Sequence, residues 1–155
     1  MARDTTTIKT IARNKKALFR FEVLGKLECG IQLRGTEVKS LRAGQASIQE
    51  AYGFMRDGQM RLVGATIPEY SHGNIHNHEP TRERRLLAHR RELLSWEKKV
   101  KERGITIVPL HLYFRGHLVK VEMALVKGKK LYDKRETEKK RSAQRDIDRA
   151  LSRRR

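Results

Sequence analysis

The chain has 155 residues, with 36 Lys and Arg against 18 Asp and Glu and a formal net charge of +18. An excess of that size repels itself unless a polyanion offsets it, and nucleic acid, whose neutralised phosphates release condensed counterions, fits best. A membrane-spanning role is excluded because no apolar run approaches the roughly 20 residues that a crossing helix needs. An anionic membrane surface is the remaining rival.

Met1–Thr10 is polar and lacks a secretory apolar stretch, so the cytoplasm is the expected compartment. Hydrophobic residues make up 37% of the chain, enough for one modest core but not two. The expected organisation is a basic N-terminal arm over 1–16, a folded domain over 17–128 and a basic tail over 129–155. A monomer is expected.

Met1 to Lys16 has almost no apolar periodicity and reads as a flexible arm. From Leu18 the pattern is that of a strand: Phe19, Phe21 and Val23 alternate with Arg20 and Glu22. Gly25 interrupts it, and Leu27, Cys29, Ile31 and Leu33 then alternate with polar residues. Gly30, on the outer face, suggests a bulge, a barrel corner or another backbone close by. Gly35–Arg42 reads as a short helix with Thr36 as N-cap, Glu37 in the first turn and Gly44 beyond its end. Val38 and Leu41 would pin it to the core. Ile48–Met55 and Met60–Ile67 read as strands joined by Asp57-Gly58, a strong hairpin signal because both turn positions need positive φ.

Ser71–Thr81 is a polar loop, and about 82–103 has helical spacing through Leu86, Leu87, Leu93, Leu94 and Val100. It reads as one helix, or as two bent near His89. Gly104 supplies the stop. Ile105–Phe114 and Leu118–Val126 are strands around a tight turn at Arg115-Gly116-His117, with Pro109 at an edge or bulge. Many short strands with inserted helices and no βαβ rhythm imply a mainly β (α+β) fold, with a small antiparallel oligonucleotide-binding (OB)-like β-barrel and flanking helices as first choice.

From Lys127 onward 13 basic residues face 5 acidic ones, and proline is absent. Glu136 and Lys140 stand at i,i+4, while Ala143, Ile147, Ala150 and Leu151 make a thin helical stripe. So charged a helix is marginal alone, so the tail is expected to be disordered when free and helical along a phosphate-lined surface.

The chemical constellations are weak. His72, His76 and His78 share a loop, but a zinc site needs three or four converging, supported ligands, so hydrogen bonding or phosphate contact is the better reading. Gly128-Lys129-Lys130 lacks the rest of a phosphate-binding loop. No nucleophile and base stand at a catalytic spacing, and Cys29 reads as a buried, inert thiol. No enzyme activity, metal, cofactor or small-molecule substrate is expected. The basic features are more informative. Arg82, Arg84, Arg85, Arg90 and Arg91 open the expected helix, where phosphates would justify their charge. Tyr132 beside Asp133-Lys134-Arg135 suits base stacking.

Several segments resemble one family. Asn14-Lys15-Lys16-Ala17, Gly35-Thr36-Glu37-Val38-Lys39-Ser40-Leu41-Arg42-Ala43-Gly44, Pro80-Thr81-Arg82 through Leu86-Leu87, and Gly128-Lys129-Lys130 with Asp133-Lys134-Arg135 resemble the signature segments of the SsrA-binding proteins, in order and over nearly the whole chain. The resemblance implies an OB-like barrel that binds the tRNA-like domain of transfer-messenger RNA (tmRNA) and carries it to stalled ribosomes. The tail would enter the decoding centre and the empty messenger channel against small-subunit RNA and become helical there. It also implies RNA contacts at Asn14, Glu28, Leu87 and Lys120, beside Lys15 and the basic Arg82, Arg84 and Arg85. Lys129, Lys130, Tyr132, Asp133, Lys134 and Arg135 match the decoding-centre segment. Tyr132 stands where some members carry histidine, and Ala88 replaces a commoner leucine. The competing readings are a generic basic ribosomal or RNA-chaperone protein and an RNA-modifying or RNA-cleaving enzyme.

Overall fold

The computed structural model describes residues 7–72, 77–128 and 131–153. Strand β1 (Ile8–Arg13) leads into helix α1 (Lys15–Arg20) and the long strand β2 (Phe21–Ile31). Helix α2 (Gly35–Arg42) and the hairpin of β3 (Tyr52–Arg56) and β4 (Gln59–Val63) follow. Then come β5 (Arg84–Leu87), α3 (Arg90–Val100), β6 (Ile105–Arg115), β7 (Leu118–Gly128) and α4 (Leu131–Arg153). The strands pair antiparallel in the order β1-β6-β3-β4-β5-β2-β7, and β6 also pairs with β7. The fold is thus mainly antiparallel sheet with helices at its margins.

Alternation explains most of it. Cys29, Met60, Leu62, Leu86, Ile107, Leu112, Val121, Met123 and Leu125 point to one side of the sheet and form the main core, closed by Leu41 of α2 and by Leu93 and Trp96 of α3. A second cluster lies on the outer side, where Ala17 of α1 covers Val108, Leu110, Ala124 and Val126. Asp57 and Gly58 take φ of 52° and 74°, as the hairpin signal requires. A side chain at Gly53 would meet Ile107 and Met123 at 2.9 Å, so only glycine lets β3 come this close to β6. Gly25 marks a register shift within one continuous β2, and Pro109 sits at a second shift in β6.

Several expectations are corrected. The N-terminal arm is ordered from Ile8: β1 pairs with the C-terminal half of β6, an edge that the sheet leaves open there. Residues 15–20 are helical because Asn14 caps them, its Oδ1 accepting from the Ala17 amide at 3.2 Å. α2 keeps the expected span Gly35–Arg42, but its N-cap is Arg34 rather than Thr36, and Glu37 accepts from the Arg34 amide at 2.7 Å. The expected helix over 82–103 is a strand and a shorter helix, because Arg84 and Leu86 alternate into the interior as β5 bridges β4 and β2. In the tail, Leu131–Arg153 forms one helix, the conformation expected along a phosphate-lined surface. Residues 139–152 are exposed along it, and its contact with the body includes the Arg141 guanidinium 5.3 Å above the Phe19 ring of α1.

Candidate nucleic-acid interface

Beyond the apolar cluster that α1 covers, the outer faces of β2, β7 and β6 are polar. The register sets Gly30 opposite Lys120, Glu28 opposite Glu122 and Lys26 opposite Ala124. On the other edge of β7, Lys120 faces Tyr113 and Glu122 faces His111. Side chains of one parity from three strands therefore meet here, while their neighbours fill the core.

Glu28 lies at the centre. Its Oε2 accepts from the Tyr113 hydroxyl and its Oε1 from Arg115 Nη1 at 2.8 Å, with the carboxylate one-third exposed. Held from two sides, it presents remaining lone pairs outward. Burial, followed by the bond to Glu28, pushes the Tyr113 phenol above its ordinary range, so it stays a donor. The His111 and Tyr113 rings lie 4.6 Å apart at 37°, and His111 Nε2 meets Thr10 Oγ1 at 2.9 Å. Burial and then the charge of Arg13 lower the His111 pKa against the pull of Glu122. Lys26 pairs loosely with Glu122 at 3.8 Å.

Two hollows flank this centre. Arg13, Lys15, Leu18, Lys26, His111 and Glu122 line one of about 430 Å³. Leu33, Leu87, His117, Leu118 and Lys120 line the other, of about 310 Å³. A side chain at Gly30 would meet the Leu87 Cβ at 3.4 Å, so glycine keeps the second hollow open. Leu87 is 49% exposed because Leu86 takes the inward parity of β5. Lys120 forms no ion pair among the described residues.

The surface thus gathers Lys15, Glu28, Leu87 and Lys120. Asn14 is different: it is buried, donating from Nδ2 to the Pro109 carbonyl at 3.0 Å, and so fixes α1 against β6. Arg85 is exposed on β5 opposite Arg61, away from Glu28. Arg84 is 0% exposed and Arg82 is 22% exposed, and both bind the buried Glu37 carboxylate, with Arg84 Nε 2.5 Å from Oε2. Arg84 also donates to the Ala65, Arg82 and Pro80 carbonyls at 3.0 to 3.1 Å. Arg84 is withdrawn from any phosphate, and Arg82, Arg84 and Arg85 open no helix, whereas Arg90 and Arg91 begin α3. Tyr132, Asp133, Lys134 and Arg135 lie in α4; Lys129, Lys130 and His76 fall outside the described residues.

His78 is buried between Thr36 Oγ1 at 2.9 Å and the Ile67 carbonyl at 2.7 Å, a structural role that fits the hydrogen-bonding reading of the loop. Among the described residues no histidine, cysteine or acid cluster suits a metal. Cys29 is fully buried, and burial pushes its thiol up to about 12. No helix among the described residues is long and apolar enough to cross a membrane. Sequence reasoning passed over His111, Tyr113 and Arg115, although their shared parity after Pro109 was a usable signal.

A cationic antiparallel domain with an open polar sheet face and a basic helical tail is the class that these features define. The family model described as SmpB protein matches residues 11–153. The SsrA-binding protein of Acidothermus cellulolyticus is 51% identical over 154 residues, covering 99% of this chain and 96% of that protein. That of Brucella abortus is 54% identical over 145 residues, covering 92% of this chain and 91% of that protein. A solved structure described as "tmRNA-SmpB: a journey to the center of the bacterial ribosome" superposes with a TM-score of 0.66 at 40% identity, covering 77% of this chain and 85% of that one. The chain belongs to the SmpB protein family.

Proposed function

We propose that this chain binds the tRNA-like domain of tmRNA and delivers it to stalled ribosomes for trans-translation. The observation that carries this is the polar face centred on Glu28, where a braced carboxylate, a half-buried lysine and an exposed leucine share one surface in a chain of this family. Structured RNA offers that surface 2′-hydroxyl and amino donors for Glu28, phosphates for Lys15 and Lys120, and a ribose or base for Leu87. The pairings running from β6 through β3, β4, β5 and β2 to β7 and back to β6 support a closed OB-like barrel as the scaffold.

The tail helix supplies the ribosomal contacts. The tail's basic residues would follow small-subunit RNA in the decoding centre and empty messenger channel, with the segment Lys129, Lys130, Tyr132, Asp133, Lys134 and Arg135 nearest the centre. Function then lies in positioning rather than catalysis, carried out by a monomer in the cytoplasm. A generic basic RNA chaperone would bind bulk tRNA as well as tmRNA, and an RNA-cleaving enzyme would leave cut tmRNA after incubation.

Two variants test the division of labour. Glu28→Ala is expected to weaken tmRNA binding markedly, whereas deleting the chain after Gly128 leaves affinity largely intact and abolishes rescue of stalled ribosomes in a reconstituted translation system. Equal, small effects of Glu28→Ala and of the tail variant Asp148→Ala on tmRNA affinity would reduce Glu28 to an ordinary surface carboxylate.

A further inference from the structure

A third hollow, of about 220 Å³, lies on the other side of α1 from the Glu28 surface. Its lining includes Lys16, Arg20, Glu50 and Tyr52, with Val108 on its floor. Lys16 and Arg20 stand at i,i+4, so both project from the same side of α1, and neither forms an ion pair among the described residues. Tyr52, at the first position of β3, is 49% exposed. Two cations beside an exposed aromatic ring are the ingredients of a nucleotide seat: the ring takes a base and the cations take its phosphates. Glu50 adds an acceptor for base or ribose donors.

Its place in the fold strengthens the point. Phe21, another lining residue, pairs with Gly128 at the root of the tail, and Arg141 of α4 lies over Phe19 on the same short helix. An RNA strand seated on Tyr52 would therefore continue toward the basic tail helix.

We infer that Tyr52, Lys16 and Arg20 form a seat for an unpaired RNA nucleotide, separate from the Glu28 surface. The inference extends the proposed function but uses none of the Glu28-face residues, so the two can fail independently. The test uses the full chain and the single-stranded hexamer rU6, which has no tRNA-like shape. On adding rU6, the amides of Lys16, Arg20 and Tyr52 are expected to shift. Tyr52→Leu, which keeps apolar cover but loses the π face, is expected to weaken rU6 binding about 5-fold or more, while Tyr52→Phe retains it. Lys16→Ser is expected to make binding less salt-dependent. Unchanged rU6 affinity in Tyr52→Leu, or shifts confined to α3 and the tail, would overturn the seat. Loss of tmRNA binding in Glu28→Ala with rU6 binding intact would confirm that the two surfaces are distinct.

Discussion

Replacing Glu37 by alanine tests how the fold holds α2 against β5. The carboxylate is 0% exposed and accepts from the Arg34 amide and from both Arg82 and Arg84. Arg82, 22% exposed, can turn to water once its partner is gone. Arg84, 0% exposed, cannot, and its remaining bonds are to neutral carbonyls. An uncompensated buried guanidinium costs about 3–5 kcal/mol, a large part of the roughly 5–15 kcal/mol that holds a domain of this size together. With a urea dependence of about 2 kcal/mol per molar, the midpoint of unfolding is expected to fall by about 1.5–2.5 M. A fall below about 0.5 M would refute the reasoning. The double variant Glu37→Leu with Arg84→Met removes both charges and is expected to recover most of the loss.

The pH dependence follows with a definite sign. Burial works to raise the Glu37 pKa, but the Arg82, Arg34 and Arg84 hydrogen bonds outweigh it and hold it below the ordinary carboxylate range. A depressed folded pKa contributes stability that is complete above the unfolded value of about 4.3 and is lost as pH falls through the folded one. Acid unfolding is therefore expected to be steeper in the natural chain than in the double variant.

Tyr113→Phe removes one of the two braces on Glu28 and is expected to weaken tmRNA binding about 2- to 10-fold by filter binding, less than Glu28→Ala does. An effect equal to that of Glu28→Ala would mean that the hydroxyl itself meets RNA. His111 is expected to titrate below the ordinary value of about 6.5 by NMR, and Arg13→Ser to raise it; no upward movement would remove Arg13 as a cause. Ala143→Gly should weaken the tail helix by about 1 kcal/mol, seen as lost helical circular dichroism, and lower rescue without changing tmRNA affinity. Rescue at the natural rate would separate tail helicity from function.

The amino-acid sequence determined a good deal by itself. Period-two alternation and Asp57-Gly58 set the hairpin, and the register shifts at Gly25 and Pro109 follow from residues that interrupt a ladder. The charge excess pointed to a polyanion, and the signature segments pointed to the family. Glu28 and Lys120 stand on the outward parity of their strands, so their exposure was legible too. Other features depend on partners far along the chain. Leu86 and Leu87 fit a helix or a strand equally well over so short a run, and only the gap between β4 and β2 makes them a strand, burying the first and exposing the second. Arg84 looks like its neighbours in sequence, yet Glu37, 47 residues earlier, draws it inside. The bracing of Glu28 joins residues 85 and 87 positions away. Local periodicity records which side of a strand a residue takes; which charge meets which is decided only when the sheet brings distant strands together.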